Sequence, residues 1–341
     1  MYKILNTRGL GIGGRQNELI ELALTYKFDG VEIDMEDLLG RHDALGKEFA
    51  CQFLKSAKKL DMGTFRLPIN FGASEEAFKK GVGKIETILA LASELGAKRC
   101  FVDLETNSPT DSFQENFDTH QTRLKEVAEI FSTHDIKIGV YLNAVGAAEV
   151  EGQFNFMQTA EEVQKLVAAV GHDHLGICLD LFEWQAGGGT VDQVKALLAS
   201  NSITEVRLAD LAEGADASSL TKADRVPVPA SSAGSVSYQV AQLLIAAGYD
   251  GAVSASTDGP SFTADGRDPV LEKISQALDQ LAEGLDPAVV AAEAAAEAAA
   301  EAESESGDSE SAADGTEAAV AEGEAAADDA GKPAEPAAAQ S

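Results

Sequence analysis

Eight times in the first 284 residues a short apolar run ends on side chains able to do chemistry. In order they are Arg8, Glu32 or Asp34, Arg66, Asp103 with Glu105, Asn143, Asp180 with Glu183, Arg207 with Asp210, and Ser256 with Asp258. Carboxylates in that position move protons or hold a divalent ion. Arginines hold phosphate or carboxylate through two parallel hydrogen bonds. Any one of these residues could equally cap a helix or face solvent. Eight in regular order point instead to a shared pocket for a small ligand. Histidine is missing from the set. His42 falls in a loop, His120 and His134 on a helical stretch, and His172-Asp-His174 reads as a surface turn rather than a metal pair.

The elements that must position these residues follow from the alternation of the chain. Predicted strands cover residues 4–7, 30–34, 63–67, 99–103, 137–143, 175–180, 203–209 and 251–256. They are apolar with little alternation, as parallel strands covered on both faces are. A helical stretch follows each. Ser112-Phe-Gln-Glu115, Thr159-Ala-Glu-Glu162 and Thr190-Val-Asp-Gln193 are capping boxes, and Asp268-Pro269 predicts the start of the last helix. Apolar stripes recur at helical spacing, as in Val163, Leu166, Val167 and Val170, and Gly96 and Gly248 supply left-handed stops. Eight strand-then-helix units predict one closed (β/α)8 TIM barrel over residues 1–284, with the polar set gathered at the C-terminal ends of its strands. An open doubly wound sheet would want a nucleotide loop. Gly9-Leu-Gly-Ile-Gly-Gly14 lacks the dinucleotide spacing and the P-loop lysine, so it reads as a tight turn.

Composition bounds the function. The 341 residues carry 57 acidic against 26 basic side chains, a net charge of −31. A chain so acidic has no footprint for nucleic acid or for anionic membrane surfaces. Residues 285–341 hold fifteen acidic residues and one lysine, Lys332, in an Ala/Glu-rich background without aromatics. Such a segment buries too little apolar surface to offset ordering, so a disordered acidic tail is expected. Cys51, Cys100 and Cys178 lie in apolar surroundings without metal-ligand spacing, as reduced core thiols do. The start lacks a long apolar export segment and no run approaches a membrane span, so a cytoplasmic protein is expected.

Several phrases carry a family resemblance. Phe28-Asp-Gly-Val-Glu-Ile33 resembles the second-strand phrase of the xylose-isomerase-like TIM-barrel superfamily of sugar isomerases and epimerases. Glu94-Leu-Gly-Ala97 resembles the lead into its fourth strand, and Leu175-Gly-Ile-Cys-Leu-Asp-Leu-Phe-Glu183 its sixth. Glu205-Val-Arg-Leu-Ala-Asp210 resembles the seventh and Gly248-Tyr-Asp-Gly-Ala-Val-Ser-Ala-Ser256 the eighth.

The resemblance implies a sugar, polyol or sugar-acid ligand. It also implies one divalent metal held by Glu, Asp, His and Glu from strands five to eight. Of those ligands this sequence keeps Asp180. Asn143 stands at the fifth-strand position, Arg207 at the seventh, Ser256 at the eighth, and Glu183 replaces the second histidine of strand six. Arginine has no lone pair to donate, and Asn and Ser are weak neutral ligands. No cofactor is therefore expected at the family position. An ion shifted onto Asp180 and Glu183 with Asp34 or Asp103 stays open.

Two arrangements of the cations are expected: an Arg207–Asp180 ion pair filling the metal position, or Arg8, Arg66 and Arg207 converging on an anion. The expected catalytic carboxylates are Glu32, Asp180 and Glu183. The expected substrate-binding residues are Arg8, Arg66, Asn143, Arg207 and Ser256. A non-catalytic binding or interaction protein on the same barrel is the alternative. A DNA-repair endonuclease of the superfamily is disfavoured by the acidic charge and the missing histidine-rich site.

Overall fold

The eight predicted strands close into a parallel barrel in which every strand pairs with its neighbours in sequence and the last pairs with the first. They are β1 Tyr2–Leu5, β2 Gly30–Ile33, β3 Asp61–Arg66, β4 Arg99–Asp103, β5 Lys137–Tyr141, β6 Leu175–Asp180, β7 Ile203–Leu208 and β8 Ala252–Ala255. The computed structural model describes residues 1–51, 60–145, 153–212, 215, 220–226, 228, 235–257 and 266–283. The chain divides into Met1–Glu293 and Ala294–Ser341, and all described residues belong to the first unit. The boundary expected after residue 284 and the expected acidic tail lie outside the described residues.

β2, β6, β7 and β8 are buried along their whole length, the burial that parallel strands sheathed in helices require. Gly139 of β5 shows how closely β5 and β6 approach, because a β-carbon there would stand 2.8 Å from the Cys178 amide nitrogen. All three cysteines are free and buried.

The three capping boxes form as read, at the starts of Phe113–Ser132, Ala160–Val170 and Val191–Ala199. Each pairs a hydroxyl with a carboxylate or amide three residues on, which satisfies amides the first turn leaves free. The last helix runs Arg267–Glu283, so it begins one residue before the expected Asp268 cap. His120 is buried on Phe113–Ser132, where its Nδ1 meets the Asn116 carbonyl at 2.7 Å. His172 and His174 sit in the turn before β6, at the opposite end from the polar set.

Two features of the loops were not legible in the sequence. Asn107–Ser108 pairs antiparallel with Phe154–Asn155, and Asp210–Leu211 with Arg225–Val226. The second ladder doubles the segment after β7 back over the barrel mouth. Its return arm is fixed by a 3₁₀ turn, Lys222–Asp224, whose Asp224 carboxylate accepts from the Thr221 amide and hydroxyl, both at 2.8 Å. The Ala212 amide donates to the Asp224 carbonyl at 2.8 Å. Arg225 is the first residue that this arm delivers.

Candidate active site

The C-terminal mouth of the barrel holds a cavity of about 570 Å³. Arg8, Arg66, Asn143, Glu183, Arg207 and Ser256 line it, with Tyr141, Lys222 and Arg225. Of the three expected catalytic carboxylates, Glu183 faces this cavity. Glu32 lines a neighbouring one, and Asp180 lies behind the wall, 3% exposed.

Asp180 ends β6 and caps the helix Leu181–Ala186. Its Oδ1 accepts from the amides of Phe182 at 3.1 Å and Glu183 at 3.3 Å. Its Oδ2 accepts from the Tyr141 hydroxyl at 3.1 Å and from Arg225 Nη1 at 3.2 Å. The same guanidinium donates to Glu183 Oε1 at 2.8 Å through Nη2, and Nη1 also bonds to Ser256 Oγ. Its carbon lies 4.6 Å from the Phe182 ring centroid. The second oxygen of Glu183 accepts from the Val145 amide at 2.8 Å.

The cation on Asp180 is thus Arg225 and not Arg207, which corrects the expected Arg207–Asp180 pair. Although Asp180 and Arg207 are register partners on adjacent strands, Arg207 points across the barrel interior. Its guanidinium carbon stacks 4.3 Å from the Phe101 ring centroid and 5.3 Å from that of Tyr141. Nε donates to Glu205 Oε1 at 3.0 Å and Nη2 to Glu32 Oε1 at 3.2 Å. Ser254 also donates to Glu205, at 3.2 Å. The expected convergence of Arg8, Arg66 and Arg207 is corrected in part. All three line the mouth, but Arg207 is held by two carboxylates and Arg66 by Asp103 and, at 3.3 Å, by Glu36.

Both clusters set one guanidinium against two carboxyls, and in each the surplus negative charge shows in the acid–base chemistry. Glu32 is pushed up to about 7, chiefly by burial, with the Glu205 charge adding to it and Arg207 opposing. Glu183 is pushed up to about 7 by burial and by Asp180, against the Val145 amide and Arg225. Burial pulls Arg225 down, but Asp180, Tyr141 and Glu183 outweigh it and hold the guanidinium above its ordinary value. Tyr141 is driven well up by burial and then by Asp180, so it stays a donor. Arg225 Nε and Glu205 Oε2 are buried without a hydrogen-bond partner among the described residues.

Sequence reasoning missed Arg225, Tyr141, Glu205 and Lys222. Glu205 and Tyr141 lie inside strands read simply as apolar runs. Arg225 and Lys222 sit in a polar loop whose local signal was the Thr221-Lys-Ala-Asp224 capping pattern. Among the described residues no three His, Cys, Asp or Glu side chains gather in a way that could hold a metal ion.

A profile described as "Xylose isomerase-like TIM barrel" matches residues 20–284. The chain belongs to the xylose isomerase-like TIM-barrel family. No curated protein matches it. Among solved structures, a xylose isomerase domain protein from Alicyclobacillus acidocaldarius superposes with a TM-score of 0.69 at 18% identity, covering 82% of this chain and 97% of that one. An IolI protein solved with a bound zinc atom gives a TM-score of 0.69 at 16% identity, covering 84% and 100%. D-psicose 3-epimerase from Clostridium cellulolyticum, solved with D-tagatose, gives 0.57 at 13%, covering 82% and 97%. At these identities the likeness establishes the fold. In this chain a guanidinium, that of Arg225, stands against Asp180 and Glu183.

Proposed function

We propose that this protein binds a small sugar, polyol or sugar acid in the barrel mouth without a divalent metal, and that it acts on that ligand as a metal-independent isomerase or epimerase. The observation that carries the reading is Arg225. Its guanidinium occupies Asp180, Glu183 and Ser256 together, the oxygens a cation at this position would need. A divalent ion would have to displace a buried fixed cation or sit beside it, and Asn143 offers a neutral ligand in return. The donor set does not fit the family ion.

The chain's own groups offer a substitute. A carbonyl ligand in the mouth would place its oxygen toward the guanidinium wall. Glu183, poised near neutrality, would take the proton from the adjacent carbon while the electron pair moves onto that oxygen. Return of the proton to the neighbouring carbon, with the adjacent hydroxyl giving its proton to the enolate oxygen, completes an isomerisation, and protonation of the original carbon by solvent from the opposite face completes an epimerisation. Asp180 is a positioning residue here, since all four of its hydrogen bonds hold Arg225, Tyr141 and the helix start. A non-catalytic binding protein is the second reading. It is favoured by the engagement of both Glu183 oxygens.

One experiment separates these. The purified protein is incubated with a panel of ketoses, aldonates and polyols in D2O, with and without EDTA, and NMR follows deuterium at carbons next to the carbonyl. Exchange that survives EDTA and is lost in Glu183→Gln supports the enzyme. Saturable binding without exchange supports the binding protein. Stoichiometric, micromolar Mn2+ or Zn2+ binding by the unaltered protein, abolished by Asp180→Ala, sinks the metal-free reading.

A further inference from the structure

A second cavity, of about 330 Å³, opens beside the mouth at the ends of β1 and β2, and Arg8 and Arg66 belong to both walls. Its carboxylates are already engaged. Glu32 is held by Arg207 at 3.2 Å, and Asp37 pairs with Arg41 at 2.7 Å. Asp34 caps the helix Met35–Leu45, accepting from the Asp37 amide at 3.0 Å. Arg66 is taken by Asp103 and Glu36. The two remaining cations of the lining, Arg8 and Arg15, form no side-chain ion pair or hydrogen bond among the described residues. Arg8 acts on Glu32 through its charge and its backbone amide, and Asp34 has no cation of its own among the described residues, so four guanidinium groups face three carboxyls in this lining. Gly13 and Gly14 form the adjoining wall, and a β-carbon at Gly13 would meet no atom within 4 Å, so the backbone there faces open space. The wall leads into the helix Gln16–Thr25, whose first amides lack helical partners, while the Glu18 carboxylate beside Gly14 accepts from the Arg15 amide at 3.1 Å. Guanidinium forks, a bare backbone stretch and free amides are the groups that recognise tetrahedral or planar anions.

We infer that this second cavity is an anion subsite, which takes the phosphate or carboxylate end of an elongated ligand whose polyol end lies in the mouth. The subsite stands on its own residues; the placement of the polyol end rests on the function proposed above. Arg8 and Arg66 line both cavities, so the two adjoin at these side chains.

The test uses the full chain at low ionic strength in a chloride buffer, with inorganic phosphate as the probe, followed by calorimetry. Unaltered protein should bind one phosphate saturably in the millimolar range. Arg8→Gln with Arg15→Gln should weaken it about tenfold or more by removing two charge-assisted contacts. Gly13→Asp, which adds a carboxylate where there is room for one, should do the same. Gly13→Ala should stay within about twofold, as should Lys98→Gln, an exposed cation at the other end of the barrel. Circular dichroism checks that each variant is folded. Absence of saturable phosphate binding, or binding indifferent to Gly13→Asp, overturns the subsite. A second titration compares sorbitol 6-phosphate with inorganic phosphate. The polyol chain should tighten binding about tenfold, and Asn143→Ala should remove that gain. A missing gain counts against the mouth reading and leaves the anion subsite standing.

Discussion

The two arginine clusters have the same stoichiometry and opposite origins. Arg207 stands inside β7, meets Glu205 two residues away on its own strand, and crosses the barrel to Glu32 on β2. Arg225 arrives on the return arm of a two-residue ladder and meets the end of β6. The first is part of the wall of the barrel, where continuous strands fix every partner. The second is carried by a loop, and its Glu183, though buried, lines the mouth cavity. The contrast teaches where this fold places rigidity and where it leaves room for chemistry. A charge fixed by strands closes the interior, while a charge on a loop can be displaced or recruited by a ligand.

Breaking each cluster should separate the two. Arg207→Met leaves Glu32 and Glu205 buried without their cation and removes the stack on Phe101. Urea unfolding at pH 8 should show a loss of about 3–5 kcal/mol. Arg225→Met should cost less, about 1–3 kcal/mol, because Asp180 keeps three other donors and Glu183 can take a proton at the cavity edge. Equal losses would mean that the loop-borne cluster is as deeply built in as the strand-borne one.

A pH series sharpens the comparison. Folded Glu32 titrates near 7 against an ordinary value of 4.5, so the folded state holds its proton more tightly than the unfolded chain. The stability this confers is fully present below about 4.5 and is lost as pH rises through about 7. Glu32→Gln removes that titration and leaves Arg207 balanced by Glu205. The variant should therefore gain on the unaltered protein between pH 5 and pH 8, by on the order of 2 kcal/mol. Glu183 shifts in the same direction, so Glu183→Gln should also gain with rising pH. A gain on falling pH in either variant would reverse the assignment of the surplus charge. The smallest effect is expected at Tyr141→Phe, which deletes one of the four bonds to Asp180. It should cost about 1 kcal/mol and leave the pH profile of Glu32→Gln unchanged when the two are combined.

Much of the scaffold was legible because its determinants are local. β4 and β6 occupy the residues that the apolar runs indicated, and the three capping boxes cap the helices they precede. The remaining strands moved by one or two residues at their ends, where hydrogen bonding to a neighbour sets the boundary. The ordered phrases pointed to a barrel, and strand ends pointed to its mouth.

By itself, the sequence determined which residue types stand at each strand end, among them Asn143, Asp180, Arg207 and Ser256. Those are properties of single positions. Only the tertiary structure decided which cation meets which carboxylate. Asp180 and Arg207 share a register, yet one turns into a helix cap and the other toward the barrel axis, a choice made by side-chain direction within the closed sheet. Arg225 reaches Asp180 across 45 residues of chain because a two-residue ladder folds the loop back. No periodicity in residues 220–226 encodes that return. The energy that selects it comes from pairing a buried charge with its counter-charges, a long-range interaction that exists only once the barrel has closed.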